Sequence, residues 1–269
     1  MTTQPSPRLA LASLSGAADA DWARAGASEA DIAFLGGIAL DEPSRRAARQ
    51  LRDRGREEFL PPEPLDWIDR QLAALADDPI RAGVNVRATD PAPIRRAAAV
   101  CAHHDAALEV NAHCRQPELC AVGCGETLLA DTDRLAAMVA AASDAGATTS
   151  VKLRTEVSGV DLPATARRLA AAGADTLHVD AMDSEGVIAL VADAAPEPTL
   201  IANNGVRGRA TVREYLACGA DAVSLGRPSD DPQVRRRVRA ALREWAQSGA
   251  GDTDAVAVDA EATADGVES

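Results

Sequence analysis

The segment "TTSVKLRTEV", residues 148–157, carries the only lysine of the chain. Of 28 basic side chains, 27 are arginine and one is Lys152. A buried ammonium is costly unless something compensates it, and lysine is a poor choice for mid-strand. Arginine's planar fork cannot replace a compact point charge where space is tight. One lysine kept among arginines therefore points to a ligand that needs a cation. The alternative is an amine that snorkels to water. Other polar pairs stand two residues apart, the spacing that puts side chains on one face of a strand. They are Asn111 with His113, Lys152 with Arg154, and His178 with Asp180. Near the C-terminus, "IANNGVRGRAT" and "AVSLGRPSDD" are Gly-containing turns that lead into helical sequence. Backbone N–H groups at such turns bind phosphate. Glycines that serve only to turn the chain are the alternative.

These groups need a scaffold that converges on one place. Eight β-rich segments recur: 9–14, 30–37, 82–88, 107–113, 149–155, 175–181, 199–205 and 222–228. Ala/Arg/Leu-rich helical stretches lie between them, several opening on Asp or Pro and closing on Gly as caps require. Alternating strands and helices predict a parallel sheet, and eight units in this length predict a single (β/α)8 TIM barrel. A doubly wound sheet is less apt, because "SLSGAADADW" is a poor version of its Gly-rich first turn. In a barrel the active site forms at the C-terminal strand ends. That rule selects Ser13, Asn85, Asn111, His113, Cys114, Lys152, Arg154, His178, Asp180, Asn203, Asn204 and Arg227. The barrel is expected over residues 1–248. The last segment, 249–269, has six acids and no base and reads as a disordered acidic tail.

Composition narrows the partners. The chain has 269 residues, 46% apolar and 2% aromatic, so its core must be built from Ala, Val, Leu and Ile. A net charge of −13 does not attract polyanions without a local basic patch. Acidity with almost no lysine matches a salt-adapted organism with GC-rich DNA. "MTTQPSPRLA" lacks the pattern of a secretory signal, and no apolar run is long enough for a membrane span. The expected location is cytoplasmic, with Cys101, Cys114, Cys120, Cys124 and Cys218 as thiols. Cys101 and Cys218 fall in helical stretches and read as small core residues. A metal site at Cys114, Cys120, Cys124 and His113 has the spacing C-x5-C-x3-C, which matches no common zinc pattern. No metal is expected.

"ALEVNAHCRQPELCAVGCGETLL", followed by "VKLR", "IANNG" and "GADAVSLGRP", resembles the tRNA-dihydrouridine synthase family. The likeness is greatest to its archaeal branch and covers roughly residues 9–245. It implies FMN, with Ser13, Leu14 and Asn85 against the ring and Lys152 near its N1–C2 region. Asn203, Asn204, Gly205, Gly226 and Arg227 would hold the phosphate. Cys114 would protonate the substrate's C5 while flavin delivers hydride to C6, with NAD(P)H as the expected electron donor. A thiol beside an imidazole and a guanidinium suits a general acid. Catalytic roles thus fall to Cys114, Lys152 and Asp180, and substrate binding to Asn111, His113, Arg115, Arg154 and His178. The chain departs from the family at three points. His113 and Arg115 replace Gly and Pro of its Asn-x-Gly-Cys-Pro motif, Asp180 stands where the family has His, and there is no counterpart of its tRNA-gripping helical domain.

The substrate is therefore expected to be tRNA or a small pyrimidine-like molecule, with a partner protein supplying RNA binding in the first case. A dihydroorotate- or dihydropyrimidine-dehydrogenase-like flavoenzyme is the alternative. A non-catalytic flavin-binding scaffold is the alternative of another class. The one dense basic run, "VRRRVRAALREW", reads as the solvated face of the last helix.

Overall fold

The computed structural model describes residues 9–248; the acidic tail expected at 249–269 lies outside them. All eight candidate segments form strands: β1 (Leu9–Leu11), β2 (Ile32–Ala39), β3 (Arg81–Arg87), β4 (Ala107–Asn111), β5 (Thr148–Arg154), β6 (Thr176–Asp180), β7 (Thr199–Asn203) and β8 (Ala222–Leu225). They pair in sequence order into a closed, all-parallel barrel, with β8 returning to β1. The helices are α1 (Ala20–Gly26), α2 (Glu42–Asp53), α3 (Pro64–Ala73), α4 (Pro91–His103), α5 (Pro117–Ala121), α6 (Thr127–Ala130), α7 (Thr132–Ser143), α8 (Leu162–Ala171), α9 (Val187–Ala194), α10 (Arg209–Ala217) and α11 (Pro232–Gln247). β1 is shorter than its sequence implies. It stops at Leu11, which leaves Ser13 and Leu14 in the loop at the barrel mouth.

Helix starts follow the acidic residues that precede them. Asp19, Asp41, Asp161 and Asp231 each accept a backbone N–H of the first turn with a side-chain oxygen. Asp90 precedes α4 but makes no such cap bond. A second use of Asp fixes the bottom of the barrel. The Ala-Asp pairs at 30–31, 174–175 and 220–221 sit just before β2, β6 and β8. There Asp31 accepts Leu9 N–H at 2.9 Å, Asp175 accepts Thr149 N–H at 2.8 Å and Asp221 accepts Leu200 N–H at 2.8 Å. Each aspartate ties its own strand to the start of the preceding one in the ring, satisfying an N–H that the parallel ladder leaves open.

The two faces of the strands differ in chemistry. Outward residues such as Val84, Val86, Leu108, Val110, Leu153 and Val179 join the main core with Ile94, Met138 and Leu169 of the surrounding helices. Inward residues form a small apolar plug at the bottom: Ala10, Ile32, Phe34, Ala107, Ile201 and Ala222. Gly83 belongs here by necessity, since a Cβ on it would stand 2.6 Å from the Phe34 ring. Above the plug the interior turns polar. Barrel interiors are ordinarily filled by bulky apolar side chains, so this change marks where the fold gives up packing.

The basic run of α11 is only partly a solvated face. Arg235 is buried, donating to Ser229 O and Ala25 O and pairing with Glu29. Arg239 pairs with Asp31. These arginines anchor the last helix to the barrel.

Candidate active site at the barrel mouth

Reading each strand upward from the plug gives the floor of the site. β3 contributes Asn85, β4 Glu109, β5 Ser150, β6 His178 and β8 Ser224, all essentially inaccessible to solvent. They form one hydrogen-bonded chain. Ser224 Oγ lies 2.7 Å from His178 Nε2, and His178 Nδ1 lies 2.7 Å from Glu109 Oε2. Ser150 Oγ donates to Glu109 Oε2 at 3.2 Å, and Asn85 Nδ2 to Glu109 Oε1 at 2.8 Å. Asn111 Nδ2 then donates to Asn85 Oδ1 at 2.9 Å. Finally Asn111 Oδ1 accepts the backbone N–H of Cys114 at 3.0 Å. The loop that carries Cys114 is thus tied to the barrel interior through five side chains. Burial alone would raise the Glu109 carboxyl, but His178, Lys152 and Asn85 hold it below the usual range. Burial lowers His178, against the pull of Glu109.

Lys152 stands one pleat higher on β5, 3% exposed, on the wall of a cavity of about 390 Å3. Its ammonium makes no hydrogen bond or ion pair with a described residue. Burial lowers its pKa; Glu109, Asp180 and Cys114 oppose that from beyond pairing distance. Asp180 faces His113 across the same cavity, Oδ2 to Nε2 at 3.3 Å. Burial, with Lys152 near, pushes the His113 pKa down to about 4. The imidazole is therefore neutral near pH 7, so Nε2 donates to Asp180 and Nδ1 is an acceptor with no partner. Cys114 lines the cavity beside them.

The thiols part company. Cys124 packs into a small cluster with Ala47, Leu51 and Leu119, and burial pushes it up to about 12. Cys120 donates its S–H to Cys114 O at 3.6 Å. Cys101 is fully buried, while Cys218 packs against the core only partly covered. Among the described residues no cluster of three His, Cys, Asp or Glu is placed to hold a metal.

The turn after β7 has the shape of an anion cradle. Asn204 (φ 95°) and Gly205 (φ 62°) are consecutive left-handed residues. Asn204 tolerates this conformation because its Nδ2 donates to Met182 O at 2.8 Å. The Tyr215 hydroxyl of α10 donates to Asn204 O at 2.9 Å and holds the turn from behind. The backbone N–H groups of Asn204, Gly205 and Val206 donate to no described residue. A Cβ on Gly205 or Gly226 would meet nothing within 4 Å, so both face open space. Consecutive free N–H groups in such a turn favour an anion.

Most residues singled out by sequence meet at this cavity: Ser13, Leu14, Asn111, His113, Cys114, Arg115, Lys152, Arg154, Asp180, Asn203, Asn204, Gly205, Gly226 and Arg227. Asn85 and His178 instead lie in the buried chain beneath it. Five contributors went unseen in the sequence. Glu109 is a mid-strand acid two residues before Asn111, and that spacing was the available signal. Ser224 carries no motif. Arg87 ends β3, buried, donating to Ser15 Oγ and paired with Glu58 Oε2 at 2.6 Å. Arg56 and Glu58 come from the loop between α2 and α3, whose role only folding discloses.

No known family model matches the chain. An uncharacterized protein of Methanocaldococcus jannaschii is 31% identical over 130 residues, which are 48% of this chain and 50% of that protein. The chain thus matches about half the length of this curated relative. Among solved structures, DHODH from Eimeria tenella in complex with ferulenol aligns with TM-score 0.65 and 16% identity, over 90% of this chain and 82% of that one. A putative lyase/mutase from Burkholderia cenocepacia aligns with TM-score 0.55 and 17% identity, over 93% and 85%. Tryptophan synthase from Pyrococcus furiosus aligns with TM-score 0.55 and 11% identity, over 89% and 99%. At these identities the likeness is one of fold, the closed eight-stranded parallel barrel ringed by helices.

Proposed function

We propose that the chain is an FMN-dependent oxidoreductase that reduces a uracil-type C5=C6 double bond, with chemistry similar to that of tRNA-dihydrouridine synthases. The observation that carries this reading is Lys152, a buried cation with no protein partner on the wall of a polar cavity. Such a charge needs an electron-rich ligand. The surroundings fit FMN at both ends. The Asn204–Val206 turn, Gly226 and Arg227 suit its phosphate, and Ser13, Leu14 and Lys152 suit its ring. The alignment with DHODH structures supports a flavin barrel.

Bound FMN would supply hydride-transfer chemistry, with NAD(P)H as donor of electrons. The chain's own groups do the rest. Lys152 holds a fixed cation where negative charge develops, so no reorganisation is needed during reaction. Cys114 holds the proton delivered to C5, and its loop is fixed through Asn111. Neutral His113 keeps Asp180 ionised by donating to it through Nε2, while its buried Nδ1 makes no hydrogen bond.

A second reading has a specific observation behind it. The cavity wall is rich in cations, as a small anionic substrate of the dihydroorotate type would need. The test for both is flavin content and bleaching by NAD(P)H, followed by reoxidation with uracil-type substrates, tRNA included. A coloured protein that no such substrate reoxidises, and that no dihydropyrimidine reduces, would leave a non-catalytic flavin binder as the better reading.

A further inference from the structure

The charge of the cavity is opposite to that of the protein. Seven cationic side chains line it, from Arg56, Arg87, Arg115, Lys152, Arg154, Arg207 and Arg227, against one carboxylate, Asp180. Elsewhere some surface arginines are matched by acids, as Arg24 is by Asp21 and Asp78, Arg49 by Glu42, Arg95 by Asp144 and Arg168 by Asp133, while others such as Arg46, Arg52 and Arg96 pair with no described acid. In the cavity only Arg87 and Arg154 have carboxylate partners, Glu58 and Glu126. Arg56, Arg115 and Arg227 form no ion pair or side-chain hydrogen bond with a described residue. In a chain of net charge −13 with 41 acids, seven cations around one cavity with a single lining carboxylate mark a place for anions.

These cations fall into two groups. Arg207 and Arg227 follow β7 and β8, beside the Asn204–Val206 cradle. Arg56 and Arg115 follow β2 and β4, and Arg87 ends β3. In a closed ring of eight strands, β3 lies opposite β7 and β4 opposite β8. The two groups therefore reach the cavity from opposite sides of the barrel mouth.

We propose that the arc of Arg56 and Arg115 is a second anion subsite, which binds a carboxylate or phosphate carried by a small substrate. Arg87 forms its buried base, held by Glu58 and Ser15. This deepens the proposed function, since the opposite arc is the one assigned to the cofactor phosphate. Two exposed arginines bind one oxyanion with charge-assisted hydrogen bonds, and guanidinium groups suit its geometry. A small molecule fits better than RNA. The chain on either side of Arg56 exposes Asp53, Glu57 and Glu63, which repel an extended phosphodiester backbone, while a single small anion can reach Arg56 and Arg115 on the cavity wall.

The experiment is calorimetric titration of the purified protein with inorganic phosphate, with and without added FMN. The wild type should bind phosphate at both arcs. Arg56→Ala/Arg115→Ala should lose one site and Arg227→Ala the other. Added FMN should displace phosphate only from the Arg227 arc. UMP should bind the wild type at least about tenfold more tightly than uridine, and the double variant should lose that preference. If FMN displaces nothing while the double variant still loses a phosphate site, the flavin reading fails and the subsite stands. A phosphate stoichiometry unchanged by Arg56→Ala/Arg115→Ala overturns the subsite. So does an oligouridylate that binds at least about tenfold more tightly than UMP through the same arginines, which would assign them to RNA.

Discussion

Glu109 Oε2 and His178 Nδ1 meet at 2.7 Å, both side chains fully buried inside the barrel. The pair is the centre of the chain that runs from Ser224 to the Cys114 loop. Removing the Glu109 carboxylate leaves the buried polar groups that bond to it unsatisfied, at about 1–3 kcal/mol each and about 3–5 kcal/mol together. Glu109→Leu strands His178, Asn85 and Ser150 together. We predict a loss near that range in urea unfolding. Glu109→Gln keeps the shape and part of the hydrogen bonding, and should cost about 1–3 kcal/mol. Equal losses in the two variants would show that the lost charge carries the whole cost and that the hydrogen bonds the amide keeps contribute nothing.

A pH dependence follows from the imidazoles. Burial lowers His113 to about 4 and lowers His178 as well. The unfolded chain takes up these protons near pH 6.5. Between about 6.5 and 4 the unfolded state thus binds more protons, and stability must fall as pH falls through that window. Glu109 and Asp180, both held low, lose their contributions only at more acid pH. His113→Asn should flatten part of the slope in a plot of urea midpoint against pH. A midpoint that is constant or rising as the pH drops to 4 would contradict the neutral-imidazole assignment.

The barrel was legible because strand and helix periodicity recur eight times, with Asp, Pro and Gly punctuating each unit. Much of the site was legible for a related reason: residues at C-terminal strand ends converge whatever the loops do. Lys152, Asp180 and Asn203 were found this way. Glu109 and Ser224 were missed because their importance comes from barrel register, which brings β4, β6 and β8 side chains to one level. Asn85 was expected against the ligand, yet it points between Glu109 and Asn111. Arg56 lies in a loop with no periodic signal, so its arrival at the mouth depends on the path of residues 54–63.

Thiol reactivity should separate the cysteines. Burial pushes Cys101 and Cys124 up to about 12. Neither should react with iodoacetamide in the folded protein, because the thiolate is the nucleophile. Cys114 lines the cavity and should be alkylated, with protection by bound ligand. Under the proposed function, Cys114→Ala should leave flavin reduction by NAD(P)H intact and block reoxidation by substrate. Mass-spectrometric mapping that finds Cys124 labelled before Cys114 would contradict this ordering.

Binding to tRNA by the isolated chain should be weak. Each phosphate contact normally takes a basic side chain, and affinity falls steeply with salt. The net charge is −13, and the basic helix α11 uses Arg235 and Arg239 for internal contacts. A titration with native tRNA should give an affinity no tighter than about micromolar at physiological salt. Submicromolar binding would restore tRNA as the direct substrate.

The central claim is that Lys152 and the turns after β7 and β8 hold FMN. Its most direct test is the flavin content of the purified protein, read from its visible absorbance, beside that of Lys152→Met. The account predicts about one FMN per chain in the wild type and loss or marked weakening in the variant. Because burial lowers the Lys152 pKa of the ligand-free protein, the affinity for FMN should begin to weaken, as the pH rises, before the usual 10.5 of lysine is reached. A colourless protein that takes up no added FMN, or a Lys152→Met variant that binds it as tightly as the wild type, would contradict it.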